Sequence, residues 1–123
     1  MTGKICLDTH SLLEIASGNP KFAGLINSDF VVTDLTLSEF FSSLLKEHPE
    51  ETVQHWHDKL EKHSMPVDRR VLVNAQKFKH FHGKKKISFS DAVAYTYSLL
   101  NNHSFITSEK EFEGFANVEI IKK

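Results

Sequence analysis

Short apolar runs alternate with longer segments of helical periodicity along this chain. Runs of this kind, bounded by turn residues, are typical of strands buried on both faces. We predict strands at residues 4–7, 30–33, 65–67, 104–107 and 118–121. We predict helices at residues 12–16, 19–27, 36–45, 49–63, 69–80 and 90–100. Pro66 removes a backbone donor, so we place the third strand at a sheet edge.

The segment 87–107 is the clearest unit of this pattern and reads as a helix, a short turn and a buried strand. Either Ser88 or Ser90 can cap the first turn of its helix. Apolar side chains recur there at helical spacing and are predicted to face a sheet. They are Phe89, Val93, Tyr97 and Leu100.

Regular alternation of strands and helices predicts an α/β fold, because parallel strands need crossover connections that cover both faces of the sheet. We expect a three-layer α/β/α architecture with a central parallel sheet of four or five strands. The 123 residues are enough for one domain with one core, so residues 1–123 are assigned to a single domain.

Composition restricts the class of protein, its expected compartment and its possible partners. Hydrophobic residues make up 40% and charged residues 25%, and no apolar run reaches the length of a membrane span. The start of the chain has no signal-peptide pattern. The single cysteine, Cys6, lies in the first predicted strand, where we expect a core residue in a reducing, cytoplasmic compartment. A net charge of −1 gives no global attraction for nucleic acid, so any such contact must be local.

Four acidic residues lie at or near the carboxyl ends of predicted strands, where the binding and catalytic residues of parallel sheets usually lie. Asp8 directly follows the first strand, and Glu39 lies early in the helix after the second. Asp91 opens the helix that leads to the fourth strand, and Glu109 follows that strand. The fold class would bring most of these residues to one rim.

Clustered carboxylates repel one another and raise each other's pKa unless a cation compensates. Oxygen ligands suit Mg²⁺ or Mn²⁺. Phosphodiester cleavage is the chemistry that most often uses such a site, because the metal activates water and neutralises charge on the phosphate.

Each acid also has a purely structural interpretation. Thr36 and Glu39 have the spacing of a capping box, so Glu39 could simply close a helix. Asp91 could complement a helix dipole. Glu109 and Glu111 could be surface acids beside Lys110. Asp8 is the hardest to explain by packing, because it follows a buried strand.

Four short blocks resemble the signature motifs of PIN domains, in the order and at the intervals usual for that family. They are Leu7-Asp8-Thr9-His10, Thr36-Leu37-Ser38-Glu39, Ser90-Asp91-Ala92-Val93-Ala94 and Phe105-Ile106-Thr107-Ser108-Glu109-Lys110-Glu111-Phe112. The resemblance covers nearly the whole chain. At this length the chain is similar to the small toxins of VapC type.

The resemblance implies a Mg²⁺- or Mn²⁺-dependent endoribonuclease that leaves 3′-hydroxyl and 5′-phosphate ends. The family's acidic quartet is matched by Asp8, Glu39, Asp91 and Glu109. Asp8 and Asp91 would bind the first metal, with Glu39 direct or through water. Glu111 matches an additional acid of the metal set. Thr107 matches a hydroxyl that could orient water or a carboxylate.

Substrate contacts are expected at Thr9 and at His10, which stands where the family usually has Asn or Ser. The basic loop containing Lys84, Lys85 and Lys86 could hold RNA phosphates. A solvated loop is the alternative interpretation of these lysines. Residues 36–45 and 50–60 are rich in aromatic side chains and could form a homodimer interface or a groove for an antitoxin protein.

The function predicted from the sequence is therefore that of a toxin ribonuclease paired with an antitoxin. Two alternatives stay open: a catalytically inactive RNA-binding or scaffold module with the same fold, and an RNA-processing nuclease without an antitoxin. A phosphatase or phosphoreceiver is disfavoured, because Asp8-Thr9-His10 lacks the second acid of an Asp-x-Asp motif.

Overall fold

The computed structural model describes residues 4–122. Its strands are β1 (Ile5–Leu7), β2 (Phe30–Thr33), β3 (Ser64–Met65), β4 (Ser104–Thr107) and β5 (Val118–Ile120). Its helices are α1 (Thr9–Ala16), α2 (Pro20–Ala23), α3 (Asp34–Glu47), α4 (Glu50–Leu60), α5 (Arg69–Phe81) and α6 (Phe89–Leu100). Short 3₁₀ turns lie at Gly24–Asn27, Glu61–His63 and Lys110–Phe112. None of the helices within residues 4–122 has both the length and the apolar character needed to cross a membrane.

The strands form one sheet in the order β3-β2-β1-β4-β5, and every pairing is parallel. The register sets Ile5 of β1 opposite Phe30 of β2 and Ser104 of β4. The chain segments that follow β1, β2 and β4 therefore leave the sheet at the same edge. This arrangement confirms the predicted α/β fold and fixes the number of strands at five among the described residues.

Successive strand residues point to opposite faces of the sheet and enter two separate cores. Cys6 and Phe105 pack on the face covered by α5 and α6. Leu7 and Ile106 pack on the opposite face, against residues of α1 to α4. All four of these side chains are almost fully buried. The domain is therefore a helix–sheet–helix sandwich, as predicted, and Cys6 is the core residue that its strand position indicated.

Two helices begin earlier than the sequence predicted. Asp8 caps α1 through its side chain, so the helix starts at Thr9 and not at residue 12. Thr33 caps α3, because its Oγ1 accepts the Thr36 N–H at 3.1 Å. The interpretation of Thr36 and Glu39 as a capping box is therefore wrong, and Glu39 lies in the second turn of α3. In both cases the residue that follows or ends the strand caps the helix, so the strand runs almost directly into it.

The cap of α6 is Ser88, whose Oγ accepts the Asp91 N–H at 3.2 Å. Val93 is fully buried as predicted, whereas Leu100 is 38% exposed, so its assignment to the sheet-facing side was wrong. The buried side of α6 is broader than one stripe because α5 and α3 pack against the helix in addition to the sheet. Strand β3 occupies the predicted sheet edge and ends before Pro66.

Candidate active site

Asp8 lies just beyond the end of the central strand β1 and is fully buried. Its Oδ1 accepts the Ser11 N–H at 2.7 Å, and its Oδ2 accepts a hydrogen bond from Thr107 Oγ1 at 2.7 Å. Burial raises the pKa of this carboxyl, while the hydrogen bonds from Thr107 and Ser11 oppose that rise. The carboxylate is therefore held in one orientation by the protein itself.

Thr107 is the last residue of β4, the neighbour of β1 in the sheet. Its Oγ1 donates to Asp8 and also accepts the Glu109 N–H at 3.0 Å. Ser11 Oγ additionally donates to the Ile106 carbonyl at 3.4 Å. These bonds connect the ends of two adjacent strands and position the backbone that carries Glu109.

Asp91 stands in the first turn of α6 and is half-buried. Its pKa is raised to about 7, first by burial and then by the negative charges of Asp8, Glu39 and Glu109, although the bond with Ser88 acts in the opposite direction. A carboxyl group with this pKa is present in comparable amounts in its protonated and ionised forms near neutral pH. The pKa of Asp91 therefore depends on the charges of all three other acids of the predicted quartet.

Glu39 reaches this group from α3. Its Oε2 accepts a hydrogen bond from Ser90 Oγ at 2.9 Å, so the side chain is directed towards the beginning of α6. Ser90 Oγ also lies 3.3 Å from Ser88 Oγ. Sequence reasoning considered Ser90 only as a helix cap and missed its contact with Glu39. No local pattern could have revealed that contact, because 51 positions separate the two residues.

Other predicted site residues are placed differently. Glu111 is half-buried, and its backbone carbonyl accepts a hydrogen bond from Lys85 Nζ at 3.2 Å. Within the described part of the chain, no hydrogen bond or ion pair joins the Glu111 carboxylate to the four acids. Lys84 and Lys86 are exposed in the loop between α5 and α6.

Thr9 and His10 follow Asp8 in the first turn of α1. Thr9 is buried, and its Oγ1 has no hydrogen-bond partner within the described segment 4–122. His10 is half-buried, and its Nε2 lies 3.4 Å from Glu14 Oε1 on the next turn of the same helix. This approach to Glu14 is not a hydrogen bond, because among residues 4–122 His10 Nε2 is a buried nitrogen without a hydrogen-bond partner.

The donor chemistry of this rim fits a hard divalent cation. Asp8, Glu39, Asp91 and Glu109 offer only carboxylate oxygens, the ligands that Mg²⁺ and Mn²⁺ prefer. Their mutual repulsion, seen in the raised pKa of Asp91, is the condition that a bound cation relieves. Among residues 4–122, however, no three Asp, Glu, His or Cys side chains already lie close enough together to hold a metal ion.

Comparison with known proteins agrees with this architecture. The family model described as PIN domain matches residues 5–118, and the chain therefore belongs to the PIN domain family. No curated protein sequence matches the chain significantly.

The fold is shared with several solved structures. A toxin–antitoxin complex from Klebsiella pneumoniae has a TM-score of 0.80 at 15% identity over 97% of this chain and 98% of that chain. A DNA-bound VapBC complex from Salmonella typhimurium has a TM-score of 0.75 at 18% identity over 97% of each chain. Mycobacterium tuberculosis VapC20, described as a sarcin–ricin loop cleaving toxin, has a TM-score of 0.68 at 16% identity over 81% of this chain and 85% of that chain. These identities establish similarity of fold.

Proposed function

We propose that this protein is an endoribonuclease that depends on Mg²⁺ or Mn²⁺ and acts as the toxin of a toxin–antitoxin pair. The observation that carries the proposal is the buried Asp8 carboxylate at the end of β1, which Thr107 and Ser11 hold by hydrogen bonds. The raised pKa of Asp91, caused first by burial and then by the charges of Asp8, Glu39 and Glu109, supports it. Membership of the PIN domain family supports nuclease chemistry at these acids.

Asp8, Glu39 and Asp91 would hold the cation, with Glu109 beside them. When bound, a divalent cation supplies activation of water and neutralisation of charge on the phosphate and the leaving oxygen. Thr107 keeps the Asp8 carboxylate in its orientation, and Ser90 does the same for Glu39. Glu111 remains a candidate for contact with the metal, and Thr9 remains a candidate for contact with the substrate. The expected products carry 3′-hydroxyl and 5′-phosphate ends.

The RNA substrate would be held from the loop that precedes Asp91. Lys84, Lys85 and Lys86 supply positive charge there, and His10 lies at the first turn after Asp8. Local lysines neutralise phosphates without requiring a basic protein overall. Lys85 is also bonded to the connection between β4 and β5, which carries Glu109 and Glu111.

A cleavage assay on total RNA tests the catalytic proposal. We expect cleavage by the wild-type protein with Mg²⁺ or Mn²⁺ and none with excess EDTA. Asp8→Asn removes a buried metal ligand and is expected to abolish cleavage, whereas Glu119→Gln removes an exposed carboxylate from β5 and leaves it unchanged. Full activity of Asp8→Asn, or activity in EDTA, would refute the mechanism. Absence of turnover together with retained RNA binding would favour the alternative of an inactive module.

The proposed partner is an antitoxin protein, and the proposed assembly is a homodimer. The similar structures from Klebsiella pneumoniae and Salmonella typhimurium support the first part, since one is a toxin–antitoxin complex and the other is a DNA-bound VapBC complex. Leu45 is 55% exposed on α3 and offers apolar surface for either contact. Growth arrest on expression, relieved by a small protein encoded next to this gene, would separate a toxin from an RNA-processing nuclease. Cys6 is a buried free thiol, which is compatible with the cytoplasm.

A further inference from the structure

Positive charge is concentrated in one segment of this chain. Residues 69–90 contain seven of its 15 Lys and Arg residues and none of its 16 Asp and Glu residues. This segment forms α5 and the loop that leads into α6. A chain with a net charge of −1 therefore presents a locally basic surface, which is the electrostatic footprint expected for a polyanion.

Phe81 stands out within this basic segment. It is the last residue of α5 and is 83% exposed, more than any other large hydrophobic side chain in the described part of the chain. Its ring meets the His82 ring edge to face, with centroids 5.0 Å apart. His82 is itself held by Phe78 and Phe115, at 4.7 and 4.9 Å between centroids. Phe81 therefore has an anchored aromatic neighbour in His82, while most of its own side chain is exposed to solvent.

Phe81 lies in a shallow depression whose lining includes Lys84 and Lys85. Residues 80–85 line this open depression of about 420 Å³, a volume in the range of small-molecule sites. Lys77 precedes Phe81 by one helical turn and lies on the same side of α5. Lys84 and Lys86 are exposed and make no hydrogen bond or ion pair among the described residues.

The loop that shapes this depression is tied down and connected to the candidate active site. The Lys85 N–H donates to the His82 carbonyl at 2.9 Å, and the Ile87 N–H donates to the Lys85 carbonyl at 3.1 Å. Lys85 Nζ donates to the Glu111 carbonyl at 3.2 Å and lies 5.1 Å from the centre of the Phe115 ring. The depression therefore keeps a defined position beside the connection that carries Glu109.

We infer that residues 77–86 form a binding site for single-stranded RNA, in which a base stacks on Phe81 while Lys84 and Lys86 contact phosphates. An aromatic face flanked by lysines is the arrangement by which proteins hold single strands without reading their sequence. The inference extends the proposed function, because the RNA held here would be the strand that is cut beside Asp91. The absence of any acid from residues 69–90 favours a polyanion over a protein surface of mixed charge.

Fluorescence anisotropy with a labelled single-stranded oligoribonucleotide, in EDTA to prevent cleavage, tests this site directly. We expect Phe81→Ala to weaken binding about tenfold or more. Phe81→Trp keeps a stacking surface and is expected to bind at least as well as wild type. Val73→Ala is the matched control, because Val73 is another exposed apolar residue of α5, at 53%. Unchanged binding by Phe81→Ala, or an equal loss in Val73→Ala, would overturn the inference.

A salt titration tests the role of the lysines. Loss of two phosphate contacts is expected to reduce the slope of log K against log salt by about 1.4 for a single strand. Lys84→Gln with Lys86→Gln should show this reduction, whereas Lys46→Gln with Lys62→Gln, an equal charge change outside the segment, should not. Binding to anionic lipid vesicles that depends on Phe81 as strongly as RNA binding does would overturn the inference in favour of a membrane surface.

These measurements also separate this inference from the proposed nuclease function, because binding is measured without metal. Tight, Phe81-dependent binding by a protein that cleaves no RNA would refute only the nuclease. Normal cleavage and binding by Phe81→Ala would refute only the stacking site.

Discussion

Thr107 Oγ1 donates a 2.7 Å hydrogen bond to Asp8 Oδ2 across 99 positions of sequence. The bond joins the end of β4 to the end of β1 at the rim of the sheet. It leaves the Asp8 carboxylate buried but satisfied, with Ser11 holding its other oxygen. A charged group at this depth is stable only with such donors, and a bound cation would add to them.

Removal of the Thr107 hydroxyl is expected to disturb both the fold and the site. Thr107→Val keeps the shape but takes a donor from the buried Asp8 carboxylate, so we expect a loss of about 1–3 kcal/mol of unfolding free energy. The same change raises the pKa of Asp8 further, because this hydrogen bond now lowers it. Thr107→Ser retains the hydroxyl and should retain most of the stability. Urea unfolding of the two variants side by side measures the difference, and equal midpoints would contradict the assigned role.

Asp91 makes stability depend on pH in a definite direction. Its pKa rises from 3.8 to about 7 on folding, so the folded state holds the proton more tightly than the unfolded state does. The contribution of Asp91 to the free energy of unfolding is therefore fully present below about pH 3.8 and is lost as the pH rises through about 7. Asp91→Asn abolishes that loss, and we expect the metal-free variant to be more stable than wild type at pH 8 by on the order of 1–4 kcal/mol.

Thermal unfolding in EDTA between pH 5 and pH 8 measures this effect. The advantage of Asp91→Asn is expected to grow with pH across that range. Asp58→Asn is the control, because the exposed Asp58 carboxyl has a pKa lowered by hydrogen bonds from Gln54 and His57. That variant should show no growing advantage. A constant difference between Asp91→Asn and wild type would contradict the raised pKa.

Ser90 tests whether the position of Glu39 matters for cleavage. Ser90→Ala removes the 2.9 Å hydrogen bond to Glu39 Oε2 and frees that exposed side chain to move. We expect RNA cleavage to fall several-fold while the unfolding midpoint stays close to that of wild type. Ser42→Ala changes an exposed serine on α3 and should leave both quantities unchanged. Wild-type cleavage by Ser90→Ala would show that Glu39 needs no orientation.

Cys6 is expected to be inert in the folded protein. Its side chain is fully buried, and burial raises the pKa of the thiol to about 12. The thiolate is the reactive form, so a thiol reagent such as DTNB should react only after unfolding by guanidinium. Rapid reaction of the native protein would place Cys6 outside the core.

Most of the fold could be predicted because local pattern and global architecture agree. The predicted strands 30–33 and 104–107 coincide with β2 and β4. The errors fall where a strand runs directly into a helix, at Asp8 and Thr33. Side chains that cap a helix are also good turn residues, so the sequence does not distinguish the two outcomes at these positions.

The sequence predicts the candidate site as a set of acids, and the contacts of those acids come only from the structure. Strand ends and family motifs identify Asp8 and Asp91, and their shared edge follows from parallel topology. The partnership of Ser90 with Glu39 depends on how α3 and α6 pack, which no local spacing encodes. The hydrogen bond from Lys85 to the Glu111 carbonyl likewise depends on tertiary packing and could not be predicted from the sequence. It gives this lysine of the predicted basic loop a structural role.

Calorimetric titration with Mn²⁺ at pH 8 tests the central claim, that acids distant in sequence create one site for a divalent cation. We expect a tight site in the wild-type protein, loss of that site in both Asp8→Asn and Asp91→Asn, and weaker binding at pH 6, where the Asp91 proton must be displaced. Glu119→Gln should bind as wild type does. Absence of a tight site in the wild-type protein, or unchanged binding in both aspartate variants, would contradict the account.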